Sequence, residues 1–264
     1  SNDVTVDSLK KPYVFTDRTN ALFVGSAKVE NGRFVADFIV PKDIRYNYGL
    51  GRIVYYAADE AQNFEANGYY ENVIIGGEDS HVIWENQGPD VQIYLNSPDF
   101  KSGDKVNESP LFVANVYDQC GINAIGNGVG HDIILKLDNN PLLEKSLNFY
   151  YTTEIGNYQS GTVNYQLYNL EEGKHHILFR VWDLQNNSST AELEFIVEKG
   201  LQPKLSDMFV YPNPAINVAN FVYVHDRPEQ PLSVNASVYD LSGRLVFSGV
   251  QTVFTYDNRT EIAW

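Results

Sequence analysis

The 264-residue sequence has little that could cross-link it, chelate through sulfur or cross a membrane. Cys120 is its single cysteine, so neither an internal disulfide nor a cysteine-based zinc cluster can form. The redox compartment stays open, because exported bacterial proteins can be as poor in cysteine as cytosolic ones. Apolar runs are short. Val73 to Ile75 and Ile133 to Leu135 fall far below the roughly 20 residues that a spanning helix requires. The opening Ser1-Asn2-Asp3-Val4 lacks a charged and then apolar leader pattern and reads as a trimmed end. Positive charge is scarce too: 19 Lys and Arg stand against 34 Asp and Glu, a formal charge of −15. That balance leaves no basic footprint to neutralise a phosphate backbone or dock on an anionic membrane, which removes nucleic acid as a partner. Helical periodicity is also missing. No stretch of about 10 to 12 residues carries an i, i+3, i+4, i+7 apolar stripe, and Glu60-Ala61-Gln62-Asn63-Phe64 makes at most one turn.

Aromatic residues and alternation are present in their place. Aromatics make up 13% of the chain and hydrophobic residues 43%, enough to bury cores of this size on the pleated surfaces that Tyr, Phe, Val, Ile and Thr favour. The expected fold class is all-β, as tandem Ig-like β-sandwich domains. Phe34, Ala36, Phe38 and Val40 share one face of a strand over residues 33–41, preceded by the hairpin turn Asn31-Gly32 and ended by Pro41. Further strands are expected at Gly51 to Ala58 and Val73 to Gly77, making a first unit of residues 1–87. Gly88-Pro89 opens a second unit, residues 88–200, with strands at Val91 to Leu95, Leu111 to Tyr117, Asp132 to Leu137, Gly161 to Leu167, Gly173 to Trp182 and Thr190 to Val197. After the connector Lys199 to Pro203 a third unit, residues 204–264, has strands at Phe209 to Tyr211, Asn220 to Val224, Leu232 to Tyr239, Arg244 to Phe247 and a last segment up to Trp264.

Several residues invite chemistry. Cys120 and His131 form the tempting pair, since a thiol beside an imidazole is how a cysteine nucleophile is activated. Both fall in one loop-rich stretch with no strand-to-helix nucleophile turn around Cys120, so nearness in sequence is the whole of the case. A free, partly buried thiol is expected. Gly126-Asn127-Gly128-Val129-Gly130 has the composition of a phosphate-cradling loop but leads into a strand rather than a helix, and is read as a glycine-permitted bend. His175-His176 precede a strand whose alternation sends the two rings to opposite faces, away from any shared metal. His81 and His225 sit among polar neighbours and read as surface residues. Val116-Tyr117-Asp118, Val181-Trp182-Asp183 and Val238-Tyr239-Asp240 end three strands alike. Each Asp is expected to open a turn by accepting a backbone N–H, while Asp118 and Asp183 closing on a calcium ion is the sharper alternative. Glu171-Glu172 and Asp59-Glu60 select no acid/base couple. These residues assign no catalytic site, no metal and no cofactor.

From Pro203 onward the sequence becomes specific. Met208-Phe209-Val210-Tyr211-Pro212-Asn213-Pro214-Ala215, then Val238-Tyr239-Asp240-Leu241-Ser242-Gly243-Arg244-Leu245-Val246, resembles the C-terminal sorting-type β-sandwich of type IX secretion proteins. Upstream, five segments are similar, in one order, to the region after the catalytic domain in the gingipain-like cysteine peptidases that act as type IX secretion sortases. They are Phe38-Ile39-Val40-Pro41-Lys42-Asp43-Ile44, Tyr55-Tyr56-Ala57, Gly121-Ile122-Asn123, Gly130-His131-Asp132-Ile133 and Val181-Trp182-Asp183-Leu184-Gln185-Asn186-Asn187-Ser188-Ser189.

The resemblance runs from about Phe15 to Trp264. It implies a bacterial surface enzyme that removes the C-terminal signal of secreted cargo and helps join that cargo to an anionic surface lipopolysaccharide. The catalytic Cys and His of the family lie in an upstream α/β domain, and neither Cys120 nor His131 matches their motif. On this reading the chain itself is not an enzyme, and the units at both its ends are cut short. It would sit on the extracellular face of the outer membrane, with the upstream peptidase domain, outer-membrane secretion-complex proteins and secreted cargo as partners. The alternative is the C-terminal part of a secreted cargo, an adhesin or a carbohydrate-binding protein, with Trp84 and Trp182 stacking on sugars. Trp182, within an alternating strand, is expected in the core instead.

Overall fold

A computed structural model describes residues 21–42, 48–59, 63–77, 85–126, 130–256 and 258–263, together with the backbone of 2–6 and 12–16. The described residues are all-β, built from several mainly antiparallel sheets. Their only helical elements are two single 3-10 turns, Pro141–Leu143 and Asn148–Tyr150. None of their helices is long and apolar enough to cross a membrane.

The first stretch holds two separate ribbons, β1 (Asn2–Val6) with β2 (Pro12–Thr16) and β3 (Gly49–Asp59) with β4 (Phe64–Ile75). Between them in sequence, residues 21–42 form no regular strand or helix. Asn31 and Gly32 form the expected tight turn, with φ of 52° and 73°, both positive as a two-residue hairpin of this type needs. The strand expected over 33–41 does not form. Arg33 makes one bridge back to Glu30, and nothing beyond it pairs. Alternation supplies an apolar face, but a strand also needs a neighbour for its N–H and C=O groups, and among the described residues none pairs with this segment. The helical turn considered at Glu60 lies largely outside the described residues, as do His81, Trp84 and residues 127–129.

The middle stretch comprises β5 (Asp90–Leu95), β6 (Lys105–Val106), β7 (Leu111–Tyr117), β8 (Ile134–Leu137), β9 (Glu144–Ser146), β10 (Tyr151–Glu154), β11 (Asn157–Gln166), β12 (Gly173–Trp182) and β13 (Ser188–Val197). They build a four-stranded sheet, β10-β11-β7-β5, and a five-stranded sheet, β6-β13-β12-β8-β9, the pair β13 and β6 being parallel. One apolar core lies between the sheets. Phe112, Ala114, Val116 and Val163 come from one side, and Leu135, Ile177, Phe179, Val181, Phe195 and Val197 from the other. The rings of Phe112 and Phe179 meet at 5.5 Å. Along β12 the inward set is Ile177, Phe179 and Val181, so period two turns the next residue outward. Trp182 is therefore not in the core, contrary to expectation: its ring lies 4.4 Å from that of His131 and under the Arg180 guanidinium.

The last stretch has β14 (Leu205–Tyr211), β15 (Asn220–His225), β16 (Pro231–Tyr239), β17 (Leu245–Phe254) and β18 (Arg259–Ala263). β14-β15-β18 form one sheet and β16-β17 another. His225, expected at the surface, is 2% exposed. Its Nδ1 accepts the Arg227 backbone N–H at 3.1 Å and its Nε2 lies 3.0 Å from Thr260 Oγ1. Polar neighbours in sequence concealed a residue that shares the buried side of β15 with Tyr223. Arg227, 3% exposed, pairs with Asp226 at 2.8 Å and donates to the carbonyls of Leu201 and Gln202, pinning the connector from the middle stretch. The two stretches also meet through Gln230, which donates to Ser109 O at 2.6 Å, and Asn258, which donates to Asn96 O at 2.7 Å.

Candidate functional site

The three strand endings of Val, an aromatic residue and Asp behave alike. Asp118 Oδ1 accepts the Cys120 N–H at 2.7 Å. Asp183 Oδ1 accepts from the N–H groups of Gln185 at 2.9 Å and Asn187 at 2.7 Å. Asp240 Oδ1 accepts from those of Ser242 at 2.9 Å and Arg244 at 3.0 Å. These are the side-chain turns expected of Asp leaving a strand.

At Asp118 and Asp183 the turns converge on one end of the middle sheets, where Ile122 bridges Asp183. Both carboxyl groups are buried, Asp118 at 5% exposure and Asp183 at 0%. A third acid, Glu85, arrives on the connector from the first stretch. Its N–H donates to Gln185 Oε1 at 3.1 Å and its carbonyl accepts from Asn187 Nδ2 at 3.3 Å. Oxygens of Glu85 and Asp118 and the Cys120 Sγ all lie within 4.8 Å of one another. Gln185 Nε2 closes the group by donating to Cys120 Sγ at 2.9 Å. Residues 21–42 reach the same end, with Lys42 N donating to Leu184 O at 3.1 Å and Gly156 N to Ser26 O at 2.8 Å.

Buried carboxyl groups resist ionisation, and Asp118 and Asp183 are both buried at this end of the sheets. Burial pushes the Asp118 carboxyl up to about 7; the charges of Asp183 and Glu85 add to this, and the hydrogen bond from Cys120 N–H opposes it. Asp183 is raised as well, burial outweighing the hydrogen bonds from Asn187 and Gln185. The Cys120 thiol is pushed up to about 12, again by burial first and then by Glu85, Asp118 and Asp183. A nucleophilic cysteine needs the opposite shift and a base beside it. His131 instead lies with its ring tilted against that of Trp182. What the arrangement does is accept backbone N–H groups and tie the connector at Glu85 to the turns at 118–120 and 183–187.

The remaining candidates separate. His175 lies with Nδ1 2.8 Å from Asp138 Oδ2 and Nε2 2.7 Å from Glu171 O, whereas His176 Nε2 lies 3.2 Å from Glu192 Oε2. The two rings share no ligand position. Gly126 and Gly130 both take positive φ, and the next regular element is strand β8. Sequence reading passed over Glu85 and Gln185. Their pairing spans 100 residues and leaves no local pattern to find.

No protein-family model matches the chain, and no curated protein matches it. Among solved structures, the crystal structure of dimeric latent PorU from Porphyromonas gingivalis aligns with all of it at 35% identity. The chain is similar to PorU. The alignment covers 100% of this chain and 25% of the PorU chain, with a TM-score of 0.48. The chain therefore spans a quarter of the solved PorU chain.

Proposed function

We propose that this chain is the non-catalytic C-terminal segment of a gingipain-like cysteine peptidase that serves as a type IX secretion sortase. In this reading residues 1–87 form part of a sandwich, residues 88–200 an Ig-like sandwich and residues 204–264 a sorting-type sandwich. The segment positions the upstream peptidase and contacts outer-membrane secretion-complex proteins on the extracellular face of the cell surface, within reach of secreted cargo. The carrying observation is likeness along the whole length. The motifs from Phe38 to Val246 fall in the order of that region, and the identity to PorU is 35% with every residue of the chain covered. The state of Cys120 fits a non-catalytic role, since its thiol is held protonated among acids.

The β3-β4 ribbon suits the positioning task. Leu50, Val54, Tyr56, Tyr69 and Ile74 are each more than 60% exposed on it. A ribbon of two strands is marginal in water unless something packs on it, and an upstream domain is the proposed cover.

Deletion of residues 1–264 from the parent protein tests the reading. The truncated parent should fail to co-purify with the outer-membrane complex and leave cargo signals uncleaved. Normal assembly and processing by the truncated parent would refute it.

A further inference from the structure

The middle sheets have two outer faces of different character. On the five-stranded sheet several outward side chains carry charge: Lys136 pairs with Glu144 at 3.1 Å, Glu192 lies 3.2 Å from His176, and Arg180 covers Trp182. The four-stranded sheet carries on its outside a broad concavity of about 860 Å³ whose lining includes no Lys or Arg. One row crosses all four strands there. Gln92 stands beside Asn115, Asn115 beside Thr162, and Thr162 beside Thr152, at the roughly 4.8 Å spacing of paired strands. Thr162 Oγ1 donates to Asn115 Oδ1 at 3.1 Å. The side chains of Gln92, Thr152, Asn164 and Tyr117 make no hydrogen bond among the described residues. Tyr117, 47% exposed, lies along the same face.

The contrast with the charged opposite sheet lies in the kind of polar group each face offers. Uncharged amides and hydroxyls around a rigid exposed Tyr instead make a surface that offers adaptable hydrogen bonds at low entropic cost. Its chemistry also selects the occupant. With no cation in the lining and with Asp90 and Glu154 at its edge, phosphate, sulfate and carboxylate ligands are repelled. A protein partner would want an apolar centre for its anchors, whereas the outward groups that line the concavity are polar apart from the Tyr117 ring, with Tyr94 and Val113 beyond its margin. Sugar hydroxyls, which both donate and accept, match such a row.

We propose that the outer face of the β5-β7-β11-β10 sheet binds a neutral glycan chain laid across the strands. Gln92, Asn115 and Thr162 hydrogen-bond its ring hydroxyls, and Tyr117 lies under one sugar ring. The inference stands whether or not the secretion reading holds, because it concerns only this sheet. Affinity electrophoresis of the 264-residue chain through native gels containing mannan, dextran or xylan, with heparin as the anionic control, tests it. Retardation is expected in at least one neutral gel and not in heparin. The Asn115→Ala/Tyr117→Ala variant should weaken that binding by about tenfold or more. The Gln92→Ala/Asn164→Ala variant, which removes only exposed amides and keeps the fold, should weaken it about fivefold or more. Free migration in all three neutral gels, equal retardation in heparin, or retardation unchanged in a folded Gln92→Ala/Asn164→Ala variant would overturn the proposal.

Discussion

The middle stretch and the β3-β4 ribbon are written in the same residues, yet only one of them has an interior. Both pair antiparallel, and both are rich in Tyr, Val and Ile. Between the two middle sheets, 19 residues are buried in one cluster. In β3 and β4 no residue is buried. The difference is the second layer: an apolar face becomes a core only when another sheet covers it. Aromatic and β-branched content therefore reports a face that can be buried, and the number of packed strands decides whether the chain buries it by itself.

The largest effect should come from breaking the core where the sheets interlock. Phe179 is fully buried against Phe112, and Phe179→Ala should cost about 3 to 5 kcal/mol, read as a large drop in the denaturant midpoint of the middle stretch. A loss below about 1 kcal/mol would mean that the two-sheet core does not hold that stretch together.

An intermediate effect should appear with pH at the end of the same sheets. The folded chain holds the Asp118 proton more tightly than the usual 3.8, up to about 7. The folded state therefore binds more protons than the unfolded one across that range. The stability this contributes is complete below the ordinary carboxylate range and declines as pH rises towards 7. Chemical denaturation followed from pH 4 to pH 7 should show that fall, and Asp118→Asn should flatten it. An unchanged slope in the variant would assign the titration to other acids.

The smallest effect is expected on the ribbon. Val54 is 70% exposed, so Val54→Thr, which keeps a β-branched side chain, should shift the unfolding midpoint of the 264-residue chain by less than about 0.5 kcal/mol. The same substitution in the parent protein should be clearly destabilising if the upstream domain covers the ribbon. Equal, small effects in both would leave the ribbon without a cover.

Where local pattern and global packing agree, the sequence is legible. Leu111–Tyr117 and Gly173–Trp182 were bounded to the residue, because each is a run rich in strand-favouring residues closed by a turn former. The Asp turns at 118, 183 and 240 were legible for the same reason: their acceptor and donors lie within a few residues of one another. Residues 33–41 show the limit, since alternation there had no partner strand to act on. Trp182 shows that membership of a strand does not say which face a residue takes, and period counted from Val181 would have placed it outside. His225 and Glu85 failed for a deeper reason. Their environments are assembled from Thr260, Arg227, Asp118 and Gln185, contacts that only the folded chain brings together.

Arg227 has a mechanical consequence. Its guanidinium grips the carbonyls of Leu201 and Gln202 from inside the last stretch, so the connector ahead of β14 is clamped by the unit it leads into. A pull transmitted along the chain cannot bend this joint freely. It must first strip a buried cation from its acceptors, which is costly, and until then the load passes on to the amide contacts of Gln230 and Asn258. The joint behaves as a rivet, and tension applied at one end of the chain reaches the middle sheets as a directed force.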